Sequence, residues 1–157
     1  MEKIFTQPIQ PDEIEWRVQN QTKDGTKLII VPYITNRCVM ERFDTMFGWN
    51  GWSSEFREVG NGFICRLTAT YDGVTIFKED GASKTKIEPE KGGISDSMKR
   101  CAVQFGLGRG LYNYPKVMIE TGDKYIPKWA YERLDAMVDA INEEKFKGDM
   151  VILKEKK

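Results

Sequence analysis

A chain of 157 residues, 40% hydrophobic and 31% charged, is long enough to bury a real core and has the balance of a globular domain. It has no histidine, no run of 18 apolar residues, and 24 basic against 24 acidic side chains, a net charge of zero. These facts exclude histidine-based nucleophilic catalysis, histidine-rich zinc sites and a membrane-spanning helix. The first residues, MEKIFTQPIQ, lack the apolar centre of a secretion signal, so a cytoplasmic protein is expected.

In chain order, residues 14–19 read as a strand, Lys23-Asp24-Gly25-Thr26 as a turn, and the β-branched stretch 27–33 as a second strand, which together predict a hairpin. Thr35 or Asn36 then caps a helix to Phe47, with an apolar stripe of Val39, Phe43, Met46 and Phe47, and Gly48 stops it. Strands follow at 53–59, 63–71 and 74–79, separated by Asn61-Gly62 and Asp72-Gly73 turns. In the middle strand Phe63, Cys65, Leu67, Ala69 and Tyr71 alternate with polar positions and are assigned to the core. A polar loop, 81–92, precedes a second helix from Gly93 to Gly106. Its buried stripe is Ile94, Met98, Cys101, Ala102 and Phe105, with Ser95, Asp96, Lys99, Arg100 and Gln104 on the wet face. Segments 117–120 and 125–126 read as a small hairpin or edge strands, and Pro127 opens a last helix at 128–145 with a stripe of Ala130, Leu134, Met137, Val138 and Ile141. The expected fold class is α+β in a single domain, 1–157: β-hairpin, helix, three-stranded antiparallel sheet, helix, and then a C-terminal helix. Residues 146–157 form a tail to which no structure is assigned.

The three cysteines, Cys38, Cys65 and Cys101, fall on apolar faces without a Cys-x-x-Cys pair and read as buried free thiols. No phosphate loop of the nucleotide-hydrolase type is present. Zero net charge hides a polarised distribution. Between Lys84 and Lys116 seven basic residues face three acids, a surplus of four that the rest of the chain offsets. Two readings of Lys99 and Arg100 stand side by side: a solvated helix face with Asp96 paired to Arg100, or a rail of cations for phosphates. Arg66, Tyr71 and Phe77 offer stacking surfaces next to it. Trp49 and Trp52 read first as turn packing and second as stacking groups. The Gly106–Gly110 run reads as a plain turn or as a close approach to a phosphate. Glu79, Asp80 and Asp96, with Lys78 nearby, are the acids that a metal-dependent nuclease would need, at no diagnostic spacing.

Two segments carry a resemblance. Residues 33–52, YITNRCVMERFDTMFGWNGW, resemble the helix and Phe-Gly-x-Asn-Gly-Trp turn of the Rad52 single-strand annealing superfamily, and residues 91–112, KGGISDSMKRCAVQFGLGRGLY, are similar to its Ser/Thr-Asp-x-x-Lys-Arg-Ala-x-x-x-Phe-Gly helix. The Gly-x-Gly-Arg-x-Leu-Tyr ending is closer to the phage Sak and bacterial DdrA branches. The resemblance spans residues 14–120, the expected DNA-annealing core.

It implies a homo-oligomeric ring or helical filament with a basic groove for single-stranded DNA. The groove would anneal complementary strands in recombination and repair without making or breaking bonds, and without nucleotide, metal or other cofactor. Carried over position by position, Lys99 and Arg100 match the basic pair deep in the groove. Tyr33 matches its tyrosine, Arg17 an arginine on the hairpin, and Lys91 a basic position upstream. Lys84 and Lys86 belong to the same basic stretch. Val103 departs from the family, whose eukaryotic members have arginine there, and Arg109 is the candidate replacement. A single-strand-binding protein and a phage exonuclease are the further partners the resemblance brings. The DdrA branch also implies an alternative, a scaffold that protects DNA 3′ ends without annealing.

Overall fold

The computed structural model describes residues 3–156, with the backbone alone at residue 3. Met1, Glu2 and Lys157, the outermost residues of the expected domain and tail, lie outside the described residues. Along the chain the elements are α1 (Lys3–Thr6), β1 (Ile14–Gln21), β2 (Lys27–Ile34), α2 (Asn36–Phe47), β3 (Trp52–Val59), β4 (Gly62–Tyr71), β5 (Val74–Ser83), α3 (Pro89–Gln104), β6 (Lys116–Glu120), α4 (Lys128–Asn142) and β7 (Met150–Leu153). They gather into two compact units. Among the described residues, one comprises those up to Gln7 and Ile34–Arg109, the other Pro8–Tyr33 and those from Gly110 onward. The fold class is the mixed α+β expected.

In the first unit β3, β4 and β5 form an antiparallel meander. Asp72 and Gly73, both left-handed (φ 50° and 76°), make the two-residue turn between β4 and β5 that matches the twist of a hairpin. Phe63, Cys65, Leu67 and Ala69 point inward as alternation predicts. Tyr71 does not: it is exposed, as are Val74 and Ile76 on the same side of the sheet, so among the described residues that end of the face is left uncovered. The Thr35 hydroxyl caps α2 by accepting from Cys38 N (3.1 Å), and Gly48 (φ 78°) ends it. Phe43, fully buried, gathers the rings of Phe5, Phe47, Trp52 and Phe105 at 4.9–5.4 Å between centroids. Arg42, also buried, donates from Nη1 to the carbonyls of Ile4 (2.8 Å) and Gln7 (3.0 Å), satisfying one acceptor in α1 and one just after it.

The second helix of the sequence reading, α3, begins at Pro89, one turn before Gly93, and ends at Gln104. Gly92 and Gly93 are not breakers there but points of close approach. A Cβ on Gly92 would come 2.0 Å from the Thr85 hydroxyl, and one on Gly93 would come 2.6 Å from the Phe63 ring. Glycine is what lets the first turn of α3 lie on the sheet.

In the second unit the sheet order is β1-β2-β6-β7. β6 runs antiparallel to β2, with Lys27 opposite Glu120 and Ile30 opposite Val117, and parallel to β7. β6 is therefore an interior strand and not an edge. Residues 125–126 are not a strand, and the tail supplies β7. Ala130, Leu134, Met137 and Val138 of α4 are buried as the stripe predicts, while Ile141 in the last turn is half-buried. α4 stops at Asn142, where Glu144 turns left-handed (φ 58°) and Lys145 N and Phe146 N both bond to Ala140 O. The Asn142 amide donates to Ile9 O (2.8 Å). Among the described residues no helix is long and apolar enough to cross a membrane.

Candidate nucleic-acid interface

The basic stretch of the sequence becomes a seam between α3 and β5 in the first unit. Cys101 Sγ donates to Lys78 O (3.0 Å) and the Gln104 amide to Glu79 O (3.0 Å), so the C-terminal half of α3 runs beside the middle of β5. Arg100 sits at the centre of the exposed face. Its Nε donates to Asp80 Oδ1 at 3.3 Å, so the partner is on the strand. Lys78, on the same strand, lies over the Phe105 ring (5.7 Å). Arg109 reaches back to the end of α3. Its Nε donates to Val103 O and its Nη2 to Gln104 O, both at 2.8 Å. The guanidinium thus satisfies carbonyls at the negative end of the helix dipole.

Lys99 corrects an expectation. It was assigned to the wet face with Arg100 but is 6% exposed. Ser97, Met98, Lys99, Cys101 and Ala102 are all buried, an arc of about 200° at 100° per residue. α3 packs against β4 and β5 and also against α2, and Lys99 lies on the margin of the wide covered face. Lys84 and Lys91 flank the N-terminal end of the seam, each with a carboxylate: Lys84 with Glu58, which raises its pKa, and Lys91 with Glu88 (3.2 Å). Lys86 is exposed in the loop between them. Arg17 and Tyr33 belong to the second unit, where they form a pair. The guanidinium lies 4.8 Å from the ring centroid, and its Nε bonds to Glu15 Oε1 (3.3 Å).

On the outer face of the three-stranded sheet Glu79 takes Arg57 (2.7 Å) and Arg66 (2.9 Å), and Arg66 lies 4.4 Å over the exposed ring of Phe77. The hydrogen bonds from Arg57 and then Arg66 hold the Glu79 carboxyl down at about 2. A carboxyl depressed on folding adds stability that is present above its ordinary pKa and lost as pH falls towards the folded value. The thermal midpoint of the wild type is therefore expected to fall more steeply between about pH 5 and pH 2 than that of Glu79→Gln. Parallel pH profiles for the two proteins would remove this role from Glu79. Two of the acids that a nuclease reading needs, Glu79 and Asp80, are thus engaged by arginines. All three cysteines are buried and free. A hydrogen bond with Cys101, and then burial, push the Cys65 thiol far above its ordinary range, so it stays protonated and inert.

Lys78 was not among the predicted contacts. Its signal was a charged residue at an inward position of β5, opposite Leu67, between Ile76 and Asp80. A buried strand face does not carry two charges in succession unless a polar seam runs there.

Compared with known proteins, residues 1–130 match the family model described as Rad52/22 family double-strand break repair protein. Two curated relatives are both named single-stranded DNA-binding protein DdrA. The one from Deinococcus radiodurans is 27% identical over 140 residues, covering 83% of this chain and 67% of that protein. The one from Deinococcus deserti is 28% identical over 140 residues, covering 83% of this chain and 69% of that protein. No solved structure matches.

Proposed function

The chain belongs to the Rad52/22 family of double-strand break repair proteins, and from that premise we propose that it binds single-stranded DNA and anneals complementary strands without ATP or metal. The observation that carries the reading is the α3–β5 seam, where exposed Arg100 on α3, Lys78 on β5 and Arg109 at the C-terminal end of α3 gather inside the family-matched segment. Phosphates neutralised along such a seam release counterions, which gives affinity independent of sequence. With backbone charge screened and strands held in order, two complementary strands meet with less repulsion and less entropy to lose. Arg100 and Arg109 are the principal contacts in this proposal, and Lys78 is added to them. Lys84, Lys86 and Lys91 extend the track, and Lys99 contributes from the margin of the helix; Arg17 and Tyr33, in the other unit, are proposed as DNA contacts of the hairpin in their own right.

Homo-oligomerisation into a ring or filament is part of the same proposal. It is supported by β3, an edge of the three-stranded sheet with no further strand beside it among the described residues, and by Trp49, Val74 and Ile76, which are 82%, 63% and 46% exposed.

The test is fluorescence annealing of two labelled complementary oligonucleotides, without ATP or magnesium, over a salt series, on protein whose mass is measured by sedimentation. Acceleration over the spontaneous rate that fades with salt is the expected result. The two relatives are named for single-stranded DNA binding alone, which supports a second reading, a binder that shields DNA ends. Binding without acceleration would select it.

A further inference from the structure

Arg100 already holds an anion of the chain's own. Asp80 stands on β5 opposite Cys65, on the side of the sheet that faces α3, and 23% of its side chain is exposed. Its Oδ1 accepts from Gly81 N (2.7 Å) and from Arg100 Nε (3.3 Å), and its Oδ2 accepts from the Gln104 amide (3.3 Å). A guanidinium, a side-chain amide and a backbone N–H converging on one anionic group are the donors that bind a phosphate oxygen. The backbone contact is short and anchors the carboxylate. The two side-chain contacts are longer than the ~2.7–2.9 Å of a well-formed charge-assisted bond, so the hold on Arg100 is loose. The same arrangement recurs beside it, where Lys84 is matched by Glu58 and Lys91 by Glu88.

We propose that Asp80 is a built-in counterion of the seam, which the phosphate of a single strand must displace from Arg100 and Gln104. The inference rests on the reading that this seam binds single-stranded DNA. Asp80 is a positioning residue that acts through Arg100: it orients the guanidinium in the free protein and opposes the incoming charge. A phosphate takes the Nε edge of Arg100 and the Gln104 amide only as Asp80 gives them up, and one bound at the Nη groups still meets the charge of Asp80, so each contact is weaker than the count of cations suggests. Strands that must slide and be handed to a complement need contacts that release. Internal carboxylates set against a track of cations are consistent with a net charge of zero in a binder of polyanions.

The experiment is fluorescence anisotropy with labelled oligothymidylate on the wild type, Asp80→Asn, Arg100→Ala and the double variant, at low salt. Asparagine keeps an oxygen for Gly81 N, and Asp80→Ser, which also does, carries the same expectation if Asp80→Asn is unstable. Removing the charge is expected to tighten Kd by about three- to tenfold. The gain should vanish in the Arg100→Ala background, and Asp80→Glu should return Kd to near the wild-type value. A merely structural Asp80 gives the opposite sign, since loosening α3 from β5 weakens binding. Unchanged or weaker binding by Asp80→Asn, or a gain that survives without Arg100, overturns the proposal while wild-type binding leaves the functional reading standing. No binding by the wild type overturns both.

Discussion

Arg100→Ala is expected to weaken binding of single-stranded DNA by about tenfold or more, the loss of a hydrogen-bonded charge worth ~1.5–3 kcal/mol. The slope of log K against log salt should become shallower by about 0.7, the contribution of one phosphate on a single strand. Stability should hardly move. The Arg100 side chain is 56% exposed and its pairing with Asp80 is long, and such surface pairs contribute ~0–1 kcal/mol. Lys99→Ala is a different experiment, although the two residues are adjacent. Lys99 is covered, so truncation also removes packed methylenes. A combined alanine variant would confound binding with folding. Lys99→Met keeps most of the stem and isolates the charge. The assignment of Arg100 as a phosphate contact is wrong if its alanine variant binds and responds to salt as the wild type does.

Phe43→Ala should have the largest effect on stability. The ring is fully buried and is the hub on which Phe5, Phe47, Trp52 and Phe105 meet. Its removal leaves a cavity walled by rings from α1, α2, β3 and the end of α3 that cannot all collapse inward. A loss of ~3–5 kcal/mol is expected, or about 6–20 °C in thermal midpoint. Urea and thermal melts followed by circular dichroism measure it. Trp49→Ala, in the same motif, should change stability little, because that indole is 82% exposed. A small loss in Phe43→Ala, below about 1 kcal/mol, would mean that the aromatic cluster is not the core of this unit.

The Gly-Trp-Asn-Gly-Trp turn shows why one motif carries residues with such different roles. Gly48 takes a left-handed φ of 78°, and a Cβ on Gly51 would lie 1.9 Å from Phe47 O. Trp52 Nε1 donates to Asp44 Oδ1 (2.7 Å) and the ring packs on Phe43, while Trp49 projects. Packing was the first reading of both tryptophans from sequence, and it holds for Trp52. Period-2 alternation placed four of five inward residues of β4 correctly and failed at Tyr71. Alternation says which side a residue faces but not where the covering helix stops. Period-3.6 reasoning placed Arg100 and misplaced Lys99, since charge was taken as a sign of solvent on a helix covered from two sides. Gly92 was read as loop and Gly93 as the helix start because a missing side chain looks the same whether the backbone bends or is approached closely. The Arg100–Asp80 contact joins residues 20 apart on different elements, which no local periodicity encodes. β7 escaped for a similar reason: four residues in a charged tail become a strand only because β6 offers an edge.

The order in which the second unit acquires its strands bears on its birth at the ribosome. The hairpin of β1 and β2 emerges early, but the neighbour of β2 is β6, so Lys27 waits for Glu120 while the whole segment 34–109 is translated. β6 then waits for Met150–Leu153 before its far side is occupied. At about 5–20 residues per second the nascent hairpin presents an unsatisfied backbone edge for several seconds. It is a β-branched edge of the kind that invites pairing with another chain. Of the four strands β7 leaves the exit tunnel last, long after the hairpin, so Met150–Leu153 act as a latch on β6, the strand that closes the hairpin's edge.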